Sequence, residues 1–253
     1  MDATTPPLQR VPAGGGPARV PGAGAAGGLA DQLGDLARVL QQGTGFEQTL
    51  ETIVAAALDL IPGTAAASIS VVEHRRRIRS HAHSSDLPVR VDRLQEAMGE
   101  GPCLDAIWHQ CTVRVPDVAH EDRWPTFAPA AAAVGAASML SFQLYVEADN
   151  LGALNLFGAA AGAFDAESEE IGRLVAVHAA VAFADAKRIL NLEDALAARD
   201  VIGRAKGILM ERHKVTDQQA FLLLSAASSR THVKLREVAE QLATTGILPG
   251  TGG

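Results

Sequence analysis

From Asp165 onward no proline interrupts the chain until Pro249, and apolar residues recur at helical spacing through the first part of that tract. Ile171, Leu174, Val175, His178, Val181 and Ala182 predict one apolar face, and Ile189, Leu192 and Leu196 continue it at steps of three and four. Asp165 or Ser168 can cap the start, and Glu167, Glu169 and Glu170 suit the positive end of a helix dipole. A helix from about Glu167 to His213 would run roughly 70 Å at ~1.5 Å per residue. A stripe of that length cannot be hidden in one small domain, so it predicts pairing with the same helix of a second subunit. A break near Leu190-Asn191, leaving two ordinary helices, fits the same residues equally well.

Beyond Arg212 the signals are local and strong. Thr216-x-x-Gln219 reads as a capping box, and Ala220, Phe221, Leu224 and Ala227 give the helix after it an apolar face. Phe221 is expected in that core, with base stacking as the alternative. Ser229-Arg230-Thr231-His232 predicts a turn. Leu235, Val238, Ala239 and Leu242 mark a third helix, closed by Thr245-Gly246 with Ile247 and Pro249 behind it. Two short helices against the end of the long one make a three-helix unit. Gly203 and Gly207 stand inside the long helix, where each costs about 1 kcal/mol relative to Ala. Such a cost predicts close approach of another helix or of a ligand backbone. Residues 199–253 carry eight Lys or Arg against five Asp or Glu, although the whole chain has a net charge of −7. A mildly basic end on an acidic body suits an anionic partner.

Upstream, residues 1–28 are rich in Pro and Gly and poor in bulky apolar groups, which predicts a disordered tail. Two amphipathic helices follow over Leu29 to Leu60, parted at Gly43-Thr44-Gly45, the second opened by Thr44 or Gly45 and stopped at Pro62-Gly63. Ala65–Val72 and Arg77–Ser84 predict a hairpin across residues 73–76, and Val89–Met98 a helix. Gly99-Glu100-Gly101-Pro102 then breaks the chain before a short helix over Cys103–His109. Thr112–Val115 reads as a strand, and a helix is expected from Arg123-Trp124-Pro125 to Val134. Ser138–Val146 and Leu151–Phe157 predict a second hairpin joined at residues 147–150. The fold class is therefore an α/β domain, an antiparallel sheet flanked by helices, joined by a long helix to an all-α three-helix domain.

Composition excludes several function classes. With two cysteines and no CxxC pair, a disulfide framework or thiolate zinc site is not expected, and a reducing cytoplasm is the natural compartment. No apolar run reaches the ~20 residues that span a bilayer, and a secretion signal's basic-then-apolar order is absent. His81 and His83, or His109 with Cys103 and Cys111, lack the spacing of a metal site. Cys103 precedes a short helix whose N-terminus could lower its pKa, which leaves redox sensing open beside a buried structural role. Glu100, Asp105, Asp117 and Glu121 come without a base or nucleophile pattern, so no catalytic residue is assigned.

Two resemblances rest on specific residues. Ala195-Leu196-x-x-Arg199-x-Val201-Ile202-x-x-Ala205-Lys206-Gly207-Ile208-Leu209-Met210, followed by Ala220-Phe221-x-x-Leu224, Ser228 and Lys234-Leu235-x-x-Val238-Ala239, closely resembles the ANTAR domain, a three-helix RNA-binding module of transcription antitermination regulators. Gly99-Glu100-Gly101-Pro102-Cys103-Leu104-Asp105-Ala106, Arg123-Trp124-Pro125 and Gly152-Ala153-Leu154-Asn155-Leu156 resemble a GAF domain of the kind joined to ANTAR in actinobacterial regulators. With the resemblance the expected organisation is the Pro/Gly-rich tail at 1–28, a GAF-like sensor at 29–185, an ANTAR-like domain with the connecting helix at 186–248, and a short tail at 249–253. The resemblance implies RNA contacts at Arg199, Arg204, Lys206, Lys234 and Arg236, while Gly207 reads as a packing glycine or as a point where the RNA backbone approaches. Arg230, at the mouth of the third helix with Lys234, completes the expected site. The partners implied are RNA hairpin loops and a second copy of the chain, with a small-molecule ligand of unspecified identity in the GAF-like domain. The alternative is a small-molecule or redox sensor acting through protein partners, its tail a dimerisation module.

Overall fold

A computed structural model describes residues 28–43, 45–73, 77–109, 112–146 and 149–250. The expected tail before Gly28, Thr44 as helix opener, the turns at 74–76 and 147–148, Cys111 and the last three residues lie outside these. The described chain contains α1 (Leu29–Gln41), α2 (Phe46–Leu60), β1 (Thr64–Glu73), β2 (Arg77–His83), α3 (Asp86–Met98), α4 (Pro102–His109), β3 (Thr112–Val115), α5 (Phe127–Ala133), β4 (Ser138–Val146), β5 (Asp149–Gly158), α6 (Ala166–His213), α7 (Asp217–Thr231) and α8 (Leu235–Thr245). It forms two compact units, 1–186 and 187–253.

In the first unit the five strands make one antiparallel sheet in the order β2-β1-β5-β4-β3. Strand alternation sorts its residues onto two unlike faces. Ala67, Ile69 and Val71 of β1, Leu140, Phe142 and Leu144 of β4, and Leu154 and Leu156 of β5 form a wholly apolar face that packs on α1, α2 and α6. The opposite face holds Ser68, Ser70, Ser141 and Asn155 between apolar patches around Met139 and Phe157 and around Ala153, and is covered by α3, α4 and α5. The second hairpin is tighter than expected: Asp149 and Asn150 belong to β5 and pair with Val146 and Tyr145.

Helix α6 is a single unbroken helix of 48 residues, which overturns the alternative of a break at Leu190-Asn191. Asp165 Oδ1 accepts from the Ser168 amide at 2.9 Å and closes its first turn. The face it buries is not the one its bulk suggests. Val175, Ala176, Ala179, Ala180 and Phe183 lie in the core, while Leu174, Val177 and Val181 stand exposed. The reason is distance. A Cβ on Gly172 would sit 2.4 Å from the Phe142 ring, so the helix comes down on β4 along its small residues.

Other boundaries moved for identifiable causes. Helix α3 begins at Asp86, with Pro88 tolerated because its missing N–H falls in the first turn. Helix α5 begins at Phe127 rather than near Arg123, since Glu100 Oε2 accepts from the Thr126 and Phe127 amides and fixes the start there. The expected turn at 229–232 is still helix to Thr231, whose hydroxyl donates to Ala227 O at 2.8 Å, and the reversal falls at His232 in the left-handed region.

In the second unit the capping box at Thr216 and Gln219 is formed, and Gly246, at φ 72°, ends α8. Val201, Ala205 and Leu209 of α6 share a core with Ala220, Leu224 and Ala227 of α7, Val238, Ala239 and Leu242 of α8, and Leu248. Among the described residues no helix is long and apolar enough to cross a membrane.

The substitution Gly172→Ala improves intrinsic helix propensity yet drives a methyl into the Phe142 ring. It is expected to lower stability by about 1–3 kcal/mol, read as a lower denaturant midpoint.

Candidate functional site

The cations of the second unit divide between the flanks of α6. Arg199 and Lys206, seven residues apart, share one flank, the one toward α7. Arg199 is exposed, whereas Lys206 is half-buried with its Nζ 2.6 Å from Asp217 Oδ1 at the start of α7. Arg204 falls on the other flank, where it lines a shallow groove with Gly207, Ile208, Glu211 and Arg212, opposite Ala243 of α8. Arg199, Arg204 and Lys206 therefore do not form one row. Arg230 is exposed in the last turn of α7, and Lys234 is exposed at the N-cap of α8. Arg236 is exposed in the first turn of α8 and bonds Asp194 Oδ1 at 3.3 Å.

The glycines are not packing residues within the described chain. A Cβ at Gly203 or Gly207 would meet nothing within 4 Å, so no neighbouring helix of this chain explains them. Phe221 likewise departs from its expected core place: it is 42% exposed, the core being closed by Ala220 and Leu224 on either side of it.

In the first unit the motif residues serve as joints. Glu100 caps α5, and Asp105 Oδ2 accepts from Trp124 Nε1 at 3.2 Å. Arg123 donates to Arg114 O at 2.8 Å, pairs with Glu121 at 2.6 Å and lies 4.4 Å over the Trp124 ring. The Arg123 guanidinium holds the Glu121 carboxyl below the usual range. Asp117 Oδ1 accepts from the Ala119 amide and Oδ2 lies 2.8 Å from His120 Nδ1. His81 meets Glu47 at 3.4 Å and Phe46 edge-on, and His83 is exposed.

A buried polar cluster under α3 and α4 was not anticipated. Asp92 Oδ2 accepts from Ser68 at 2.9 Å and Ser70 at 3.4 Å, and Oδ1 accepts from Gln95 at 3.3 Å. Gln95 Oε1 accepts from the Cys103 amide at 2.8 Å, and Asn155 Nδ2 donates to Ser70 at 3.0 Å. One carboxylate thus ties β1 to α3, with Gln95 carrying the network to α4 and Ser70 carrying it to β5. Its signal was present as Ser68-x-Ser70 within an apolar strand and a lone Asn155 between two leucines. Burial raises Asp92 from 3.8 to about 6, against the pull of the surrounding hydroxyls and Gln95. Burial, with the Asp92 charge, also pushes the Cys103 thiol up to about 12, so the lowering expected from the helix start does not occur.

Two family models match the chain: the GAF domain over residues 43–184 and the ANTAR domain over residues 190–242. Solved structures share the fold of the first unit. The GAF domain of a phosphoenolpyruvate-protein phosphotransferase from Coxiella burnetii is 16% identical, with a TM-score of 0.50 over 63% of this chain and 95% of that one. A free methionine-R-sulfoxide reductase from Neisseria meningitidis is 16% identical, with a TM-score of 0.51 over 64% and 91%. An N-acylhomoserine lactone dependent LuxR family transcription factor from Burkholderia cenocepacia is 19% identical, with a TM-score of 0.51 over 63% and 98%. No curated protein matches the chain.

Two stability measurements check these placements. Because Asp92 is raised, the folded state holds its proton more tightly than the unfolded chain, and that contribution is full below about pH 4 and lost as pH rises through about 6. Asp92→Asn is expected to be more stable than the parent at pH 7, by up to about 3 kcal/mol, with the gap closing toward pH 4 in urea titrations. Gly203→Ala is expected to raise the stability of the isolated chain by about 1 kcal/mol, opposite in sign to Gly172→Ala.

Proposed function

The chain belongs to the GAF domain family and carries an ANTAR domain, a regulatory architecture of signal sensor and RNA-binding antitermination module, and from that premise we propose that it binds hairpin loops in nascent RNA. The observation that carries this reading is the ANTAR match over 190–242 together with the cations its helices expose at Arg199, Arg204, Arg230, Lys234 and Arg236. Hairpin loops present unstacked bases on a bent phosphate backbone, and a small domain edged with Arg and Lys suits that target. Lys206 joins the set by exchanging the Asp217 carboxylate for a phosphate. Holding such hairpins keeps a terminator from forming, and the GAF domain makes the binding answer to a signal in the cytoplasm, received as a small molecule. Input and output are linked by a shift between states, to which the ligand contributes only its difference in affinity.

The working form is a homodimer paired along α6. Ile189, Leu192 and Leu196 are 56–60% exposed, and with Gly203 and Gly207 they follow the side of α6 turned away from Val201, Ala205 and Leu209. One flank of this seam carries Arg188, Arg199 and Lys206, and the other Glu193, Asp200 and Glu211, with Arg204 the exception. Parallel pairing sets each flank against its opposite in the partner, so unlike charges meet, whereas antiparallel pairing sets like against like.

Lys206→Ala is expected to weaken binding to a two-hairpin RNA in a filter assay while leaving the helical content intact. Unchanged affinity in the folded variant would remove the site. Leu192→Asp with Leu196→Asp is expected to convert the dimer to monomer in sedimentation equilibrium.

A further inference from the structure

We propose that Phe221 is the residue on which an unpaired loop base stacks; the inference rests on the RNA-binding reading above. Phe221 is the only Phe, Trp or Tyr in residues 187–253, and the unit's core is built without it, from Val, Ala and Leu. A ring that adds large apolar area when buried is instead 42% exposed.

Its position gives that exposure a use. Asp217 and Phe221 are four residues apart on α7 and so occupy one flank of the helix, one turn from each other. Asp217 is 2.6 Å from Lys206, which identifies this flank as the one toward the cationic side of α6. Phe221 therefore stands one turn of α7 beyond the carboxylate that holds Lys206. The flank thus offers a half-exposed aromatic face one helical turn from the Lys206–Asp217 pair. A base stacks on the ring while Lys206 takes a flanking phosphate, a division in which the ring contributes affinity and the cation contributes salt dependence.

The test uses the full chain and a pool of RNA hairpins with randomised loops. A hairpin retained by the parent is titrated against Phe221→Leu, Phe221→Trp and Lys206→Ala at several salt concentrations. Phe221→Leu is expected to bind roughly tenfold to a hundredfold more weakly with the salt slope of the parent, and Phe221→Trp to bind as the parent does. Lys206→Ala is expected to lose about one unit of that slope. A 2-aminopurine placed at the stacked loop position is expected to be quenched by the parent and by Phe221→Trp but not by Phe221→Leu. Equal affinity of Phe221→Leu and the parent overturns the stacking role while leaving RNA binding in place. If the parent retains no hairpin from the pool, the RNA-binding reading falls and the stacking role falls with it.

Discussion

The close seating of α6 on β4 is the contact on which the arrangement of the first unit turns. Gly172 has no room for a side chain beneath the Phe142 ring, and Ala176, Ala179 and Ala180 continue the contact with Val175 and Phe183. Small residues let the helix axis approach the sheet, and the close fit returns in packing what each loses in apolar area. The bulkier Leu174, Val177 and Val181 are consequently turned outward. The same helix runs on without a break into the second unit, where Val201, Ala205 and Leu209 again present a narrow buried edge. Its opposite side carries the exposed leucines and the two open glycines.

The two faces of the sheet divide the labour of the sensor unit. The face under α1, α2 and α6 is purely apolar and supplies cohesion. The face under α3 and α4 has a carboxylate, three serines, an asparagine and a glutamine at its centre. Burying Asp92 with no cation beside it among the described residues costs stability, and the hydrogen bonds around it offset only part of that cost. A domain assembled for stability alone would have an apolar centre there. The network instead makes β1, β5, α3 and the start of α4 depend on one another through directional bonds.

The residues that carry a family resemblance proved to act in different ways. Glu100, Asp105 and Arg123 mark the GAF-like motif because they cap a helix, hold Trp124 and bridge strand to loop, so their spacing records folding constraints. In the ANTAR-like motif, Ala205, Leu209, Ala220 and Leu224 are core, while Arg199, Gly203, Gly207 and Phe221 have no structural task that the described chain reveals. Lys206 and Arg236, by contrast, hold carboxylates within the unit.

Local rules were enough for whatever depends on neighbours in sequence. Strand alternation, the Thr216–Gln219 capping box, the Gly246 terminus and the absence of proline through α6 each specify an element without reference to the rest of the chain. The fold class and the three-helix unit followed from them. Tertiary structure decided what depends on contact: which side of α6 is buried, because bulk points one way and close approach the other; and that Ser70, Asp92 and Asn155, distant in sequence, meet in one buried network. It also decided that the flank of Arg199 and Lys206 faces α7 while Arg204 faces α8, because where those helices settle against α6 is not recorded in the periodicity of one helix.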